Sequence, residues 1–243
     1  MTSTMRRHPR QSQGFTLLEV LVAVAISATV GVAAVQLLSN ISQVNKTSIV
    51  KADDLGALQR FNQILGRDIG QYITRSIRDE YGDEIPSLML GSGDYPLEMT
   101  IAGWRNSPVT EDPRSTLQRI AYRTEDIQSE PCEPALERLA YEQGLDINDV
   151  DVEGECFVRY YWTALDRGDV SEPSAQVLYD LIEEVRFEVV VSTPSATGAP
   201  ELNTVDYWPP VSDIEDARPV ALRVHFTAPG YGDIMRQWPI THD

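Results

Sequence analysis

The segment that most constrains this chain lies near its N-terminus, where three arginines and a glycine precede a long apolar run. The arginines are Arg6, Arg7 and Arg10, the glycine is Gly14, and the apolar run covers residues 15–38. A secretory signal also has a basic start and an apolar core, but its small-residue cleavage site follows that core. Here the small residue comes first, so cleavage after Gly14 would leave the apolar segment on the mature protein.

The apolar run is long enough to cross a membrane once. As a helix, residues 15–38 would be about 36 Å long, against roughly 30 Å for a hydrocarbon core. Glu19 is the one ionisable side chain in this run, and a lone carboxylate at that depth costs about 2.5–3.5 kcal/mol. After cleavage, the α-amine of Phe15 in a neighbouring copy could face Glu19 and set the register between subunits. The alternative is an ordinary anchor whose glutamate extends to the membrane interface.

Residues 14–19, with the sequence GFTLLE, resemble the processing site of type IV pilins and type II secretion pseudopilins. This resemblance implies that a prepilin peptidase cuts between Gly14 and Phe15 and methylates the new N-terminus of Phe15. It also implies that Glu19 guides assembly of the subunit into a helical filament. Residues 1–14 are then a cytoplasmic leader, and residues 15–38 are the transmembrane helix.

The charge distribution indicates how the chain is oriented. The whole sequence has a formal net charge of −17, and loss of the three leader arginines changes it to −20. This acidic composition argues against binding to nucleic acid, which requires a basic face. Because basic leaders stay in the cytoplasm, we predict a single-pass protein whose acidic head crosses the membrane. The resemblance to pseudopilins implies that this membrane is the inner membrane of a Gram-negative bacterium, with the head in the periplasm.

The two cysteines, Cys132 and Cys156, both lie in the predicted periplasmic head. An oxidising compartment permits a disulfide between them, and their separation matches neither a zinc site nor a redox motif. We predict a disulfide. The alternative is a pair of reduced thiols, because the sequence does not show that their Cα atoms lie within about 7 Å.

The hydrophobic pattern predicts an α+β fold in which one long N-terminal helix packs on a mostly antiparallel sheet, and the resemblance of residues 14–19 to pilins implies that this fold is pilin-like. Apolar residues recur at helical spacing to Tyr72, so an amphipathic helix is predicted over residues 39–77 and a β-rich head over residues 78–243. Alternation of apolar and polar residues predicts six strands. These strands include residues 97–101, 117–123, 157–163, 185–191, 220–226 and 234–238.

Several segments of the head resemble the J-type minor pseudopilin of type II secretion. They are residues 78–83, 103–106, 113–115, 117–119, 159–162, 165–167 and 208–210. The resemblance implies no catalysis and no cofactor. It implies a place beside the I-type and K-type minor pseudopilins in a tip complex that starts filament assembly and helps export folded proteins across the outer membrane. Further implied partners are the major pseudopilin, the prepilin peptidase and the inner-membrane assembly platform.

One segment departs from that pattern, and one alternative function stays open. An acidic insertion at about residues 128–155 replaces a short turn, and Asp149, Asp151 and Glu153 within it have the spacing of calcium ligands. The twelfth position of such a loop is Tyr160 instead of glutamate, so we predict no metal site. A minor pilin of a type IV pilus, used for adhesion, motility or DNA uptake, is the alternative function, and an anchored binding protein is a third.

Trp104 and His225 are the remaining candidates for a functional role. Trp104 follows Gly103 beside a predicted turn, where it could contact a partner subunit or pack in the core. His225 alternates with the apolar face of its strand, and no Gly-x-Ser-x-Gly motif accompanies it. We therefore predict Trp104 as a partner-binding residue and no enzymatic activity.

Overall fold

The computed structural model describes residues 15–79, 81–103, 116–166, 172–195, 198–210 and 217–240. Trp104 lies outside these residues, as does Gly14. The chain divides into two compact units, the first ending at Leu55 and the second beginning at Gly56. Helix α1, Leu17–Gly70, begins in the first unit and ends in the second.

In the first unit, α1 is exposed throughout and apolar along most of its length. The helix is long and apolar enough to span a membrane by length and composition. Such an exposed apolar surface is stable in lipid. A helix also bonds its backbone polar groups within itself, as the hydrocarbon core of a membrane requires.

The second unit combines the last turns of α1 with a β-sheet and a shorter helix. Its elements are β1 Ile77–Arg78, β2 Glu84–Ile85, β3 Leu88–Leu90, β4 Leu97–Ala102, β5 Leu117–Asp126, α2 Glu133–Gln143, β6 Glu155–Tyr161, β7 Ser174–Thr193, β8 Glu201–Val205, β9 Arg218–Ala228 and β10 Gly232–Pro239. Among the described residues, eight strands form an antiparallel sheet in the order β10-β9-β7-β6-β5-β4-β3, with β8 also paired to β7. A separate two-stranded ribbon joins β1 and β2. The predicted α+β fold is confirmed, including all six predicted strands.

The predicted end of α1 is wrong by several residues. The helix ends at Gly70 and not near residue 77. Beyond it, the chain bonds to the sheet: Ile73 N donates to Thr100 O at 3.1 Å, and Ala102 N donates to Gln71 O at 2.7 Å. The helical pattern continued to Tyr72 because that side chain is buried, but its backbone pairs with Ile101 as an isolated β-bridge.

The sheet packs on both faces. Its inner face covers the last turns of α1, where Phe61 lies among three aromatic rings, with centroids 5.0 Å from Phe157, 5.1 Å from Phe226 and 5.7 Å from Tyr179. Its outer face carries a smaller core around α2, which includes Leu136, Cys156 and Trp162. The larger core therefore fixes the helix to the sheet, and the smaller one fixes the acidic insertion.

Candidate functional site

The N-terminal turn of α1 contains a reciprocal cap. Thr16 N and Thr16 Oγ1 both donate to Glu19 Oε2, at 3.0 and 3.1 Å, and Glu19 N donates to Thr16 Oγ1 at 3.2 Å. This is a capping box, which satisfies backbone N–H groups that the first helical turn leaves unpaired. The Thr-x-x-Glu spacing of this cap is visible in the sequence, from which Glu19 was predicted as an assembly residue and not as part of a cap.

The predicted processing site lies directly before this cap. Phe15 is 88% exposed and precedes the first helical residue, Leu17. Both bonds from Thr16 end on one carboxylate oxygen of Glu19, Oε2, and none of the described residues donates to the other oxygen. Assembly through Glu19 stays a prediction.

The other end of α1 is held to the sheet by a buried carboxylate that was not predicted from the sequence. Asp68 Oδ2 accepts from Tyr122 Oη at 2.7 Å and from Arg159 Nε at 2.6 Å. Tyr122 and Arg159 are directly opposite each other in the β5–β6 ladder. A single oxygen of the helix is thus bonded to two neighbouring strands. The sequence feature that could have indicated this buried carboxylate is a charged residue, at position 68, inside the apolar stripe of α1.

Burial raises the pKa of the Tyr122 phenol well above its ordinary value, and the Asp68 charge raises it further. Both effects disfavour the phenolate, one by removing water and the other by placing a second negative charge nearby. Tyr122 therefore remains a hydrogen-bond donor to Asp68 over the physiological pH range.

A second buried ion pair fixes the neighbouring strands. Arg119 Nε donates to Glu98 Oε1 at 2.7 Å, and its Nη1 donates to Pro86 O at 2.8 Å and to Thr100 Oγ1 at 3.0 Å. Arg119 and Glu98 are almost fully buried. This network connects β4, β5 and the segment before β3, so its role is structural.

The acidic insertion is an ordered helical excursion. A disulfide joins Cys132 to Cys156, with 6.0 Å between the Cα atoms, and α2 follows immediately. Arg138 of α2 donates to both carboxylate oxygens of Asp180 on β7, and this bonding raises the pKa of the Arg138 guanidinium. Disulfide, core and ion pair together attach α2 to the outer face of the sheet.

The residues with calcium-ligand spacing lie at the end of that excursion. Asp149 ends a 3₁₀ turn, and Asp151 and Glu153 are exposed in the segment that leads to β6. Over the part of the chain that the structure describes, no group of three or more His, Cys, Asp or Glu side chains is arranged to hold a metal ion.

His225 lies on the outer face of β9 and contacts a carboxylate. Its Nε2 is 3.1 Å from Glu188 Oε2, and Arg223 Nη1 donates to the same oxygen at 3.2 Å. Partial burial raises the pKa of Glu188, but the hydrogen bonds and charges of His225 and Arg223 outweigh it and lower that pKa overall. The group is a surface ion network on the sheet.

The predicted residues do not form one site. Phe15 and Glu19 lie at the start of α1, Cys132 and Cys156 on the outer face of the sheet, and Trp104 outside the described residues.

Comparison with known proteins gives the family. The family model "Type II secretion system (T2SS), protein J" matches residues 36–148 and 149–240, and "Prokaryotic N-terminal methylation motif" matches residues 9–35. Proteins named type II secretion system protein J are similar to this chain. The one from Escherichia coli is 27% identical over 94% of this chain and 96% of its own length. The one from Klebsiella pneumoniae is 36% identical over 55% of this chain and 64% of its own length.

A solved structure shares the fold. It is the GspK-GspI-GspJ complex of the enterotoxigenic Escherichia coli type 2 secretion system, in which the matched chain is 20% identical with a TM-score of 0.50. The match covers 77% of this chain and 97% of that one. With the family model covering nearly all of the chain beyond residue 35 and the methylation motif preceding it, this chain belongs to the protein J family of the type II secretion system.

Proposed function

We propose that this chain is a minor pseudopilin that takes part in the tip complex of a periplasmic filament and helps export folded proteins across the outer membrane. The observation that carries this proposal is the protein J family match over residues 36–240. It follows directly after a methylation motif on an exposed apolar helix. We infer a structural role in the filament, without enzymatic activity.

The proposed processing and location rest on the N-terminal segment. Cleavage between Gly14 and Phe15 with methylation of Phe15 is supported by the motif match over residues 9–35. A periplasmic head is supported by the arginines of the leader and by the Cys132–Cys156 disulfide, a bond that persists in oxidising compartments.

The proposed partners are the I-type and K-type minor pseudopilins. The matched chain of the solved structure belongs to the GspK-GspI-GspJ complex. We propose the corresponding assembly for this chain, with the major pseudopilin, the prepilin peptidase and the inner-membrane platform as further partners. Trp104 is a proposed contact residue, and Trp104→Ala should weaken the tip complex without lowering the melting temperature of the head.

The test compares the proteins in culture medium and periplasm between the native strain and a strain that lacks this gene. The secretion role predicts that a set of signal-peptide-bearing proteins disappears from the medium and accumulates in the periplasm. An unchanged medium with loss of surface pili or DNA uptake would instead establish the alternative, a minor pilin of a type IV pilus. Complementation with the wild-type gene is the control.

A further inference from the structure

A polar cavity lies beside the last turns of α1, at the end of the inner face of the sheet. Its volume is about 810 Å³. We call it the arginine cavity and define it by Arg67, Asp68, Gln118, Arg159 and Tyr161, which all line it. We propose that the arginine cavity binds a carboxylate carried by a partner polypeptide.

The cavity combines two guanidinium groups with one carboxylate. Arg159 Nε donates to Asp68 Oδ2 at 2.6 Å. Arg67 donates to the other oxygen, Oδ1, from Nε at 3.1 Å and from Nη2 at 3.0 Å. These three side chains together carry one net positive charge, in a protein whose net charge is −17. The cavity is therefore a local cationic site on an acidic protein.

Two largely buried residues of the cavity have N–H groups that donate to no described residue. Gln118 Oε1 accepts from Arg159 Nη2 at 3.3 Å, and the two residues are 2% and 5% exposed. Within the described residues, neither Gln118 Nε2 nor Arg159 Nη1 has a hydrogen-bond partner. Neither nitrogen is among the fully buried polar atoms without a partner, so both reach solvent and can donate to an acceptor that enters the cavity.

A carboxylate fits these donors better than other acceptors. Its two oxygens can accept from Gln118 Nε2 and Arg159 Nη1 at the same time, the second in a charge-assisted bond, and its single negative charge balances the single positive charge of the cavity. A phosphate dianion would add excess negative charge beside Asp68. The ring of Tyr161 lies against Arg159, with 5.4 Å from Cζ to the ring centroid, and this stacking helps to hold the guanidinium plane.

The size and lining of the cavity indicate that the carboxylate belongs to a polypeptide. The volume is within the range of about 300–1,000 Å³ typical of sites that take ligands of many atoms, far more than a free acetate needs. Ile64 and Ile101 also line the cavity, so aliphatic atoms next to the carboxylate would find apolar contacts. An exposed Asp or Glu side chain of a partner has both a carboxylate and the aliphatic carbon atoms next to it.

The test is a titration of the full-length, ¹⁵N-labelled protein in detergent, with the side-chain signals of Arg159 Nε and Gln118 Nε2 as the readout. The probe is N-acetyl-Ala-Glu-Ala amide, and its matched control is the same peptide with glutamine. The glutamate peptide should shift both signals at about tenfold lower concentration than the glutamine peptide, because hydrogen bonds to a charged acceptor are about twice as strong. Equal responses, or no shift at about 10 mM glutamate peptide, would overturn the proposal.

Two further probes distinguish the source of the negative charge. Sodium acetate should act only at higher concentration than the glutamate peptide, and inorganic phosphate should act most weakly. If acetate is as effective as the peptide, the cavity binds free carboxylates and the polypeptide assignment is wrong. If phosphate is the strongest probe, the carboxylate assignment is wrong.

Arg67→Gln tests the cavity without removing a buried group, because the Arg67 side chain is 58% exposed. We expect this variant to bind the glutamate peptide about tenfold more weakly, the loss of one charge-assisted contact. Arg60→Gln is the matched control, since Arg60 is exposed two turns earlier on the same helix and does not line the cavity. Equal weakening in both variants would show a general charge effect and contradict the proposal.

Discussion

Tyr122 of β5 donates its phenolic hydrogen to Asp68 of α1, with 2.7 Å between Oη and Oδ2. The residue opposite Tyr122 in the ladder, Arg159 of β6, donates to the same oxygen. The end of the anchor helix is thereby attached to the middle of the sheet by charged hydrogen bonds as well as by apolar packing.

Asp68→Asn should strongly destabilise the head. The change leaves the buried Arg159 guanidinium without its carboxylate, and removal of one partner of a buried pair costs about 3–5 kcal/mol. Tyr122→Phe should cost less, about 1.5–3 kcal/mol, because it removes one hydrogen bond to a charged acceptor and keeps the ion pair. Urea unfolding followed by tryptophan fluorescence measures both. Asp54→Asn, at an exposed position of the same helix, is the control, and an Asp68→Asn variant as stable as this control would contradict the junction.

Glu19→Ala should reduce incorporation into filaments while leaving membrane insertion and leader cleavage intact. Thr16→Ala is the informative comparison, because it removes both bonds of the capping hydroxyl and keeps the carboxylate. Loss of an N-cap costs about 1 kcal/mol of helix stability, so Thr16→Ala should impair incorporation less than Glu19→Ala. Co-purification of each variant with the other pseudopilins measures incorporation. Equal defects would mean that Glu19 acts through the cap and not between subunits.

Gly66→Ala should destabilise the contact between α1 and β10. A Cβ atom at position 66 would lie 2.7 Å from Trp238 Nε1, whereas at Gly70 it would meet no atom within 4 Å. Gly70→Ala should therefore stabilise the protein by up to about 1 kcal/mol through helix propensity. At Gly66, the same gain in helix propensity is opposed by the cost of displacing the Trp238 indole.

Thermal unfolding of the two glycine variants checks this difference, and the emission of Trp238 should change only in Gly66→Ala. A higher melting temperature for Gly66→Ala than for Gly70→Ala would show that the indole moves aside at no cost.

The stability of the folded protein should decrease at low pH because of Glu188. Its pKa is lower in the folded protein than in the unfolded chain because His225 and Arg223 bond to the carboxylate. A carboxyl group with a lowered folded pKa stabilises the protein above its unfolded pKa, and this stability is lost as the pH falls through the folded value. The melting temperature should therefore fall less between about pH 6 and pH 3 in Glu188→Gln than in the wild type. Parallel pH profiles would contradict this role.

Local patterns in the sequence predict most of the fold because they depend on neighbouring residues. Alternation over residues 185–191 places Phe187 and Val189 on the buried face, and the structure has both in the core beside α1. The predicted helix end was wrong because Tyr72 is buried in the same stripe as Leu65 and Ile69. The spacing of apolar residues indicates which side chains are buried. It does not indicate where the backbone leaves the helix and pairs with a strand.

Some features of the candidate site could likewise be predicted from neighbouring residues, and others could not. The sequence by itself determined the processing motif, the apolar anchor, the position of Glu19 and the presence of two cysteines in one segment, because each is a property of contiguous residues. Only the tertiary structure decided that Asp68, Tyr122 and Arg159 meet, and that Gln118 and Arg67 join them around one cavity. These residues are up to 92 positions apart in the numbering, from Arg67 to Arg159. The physical reason is that long-range packing of α1 on the β5–β6 pair, and no local pattern, brings the charges together.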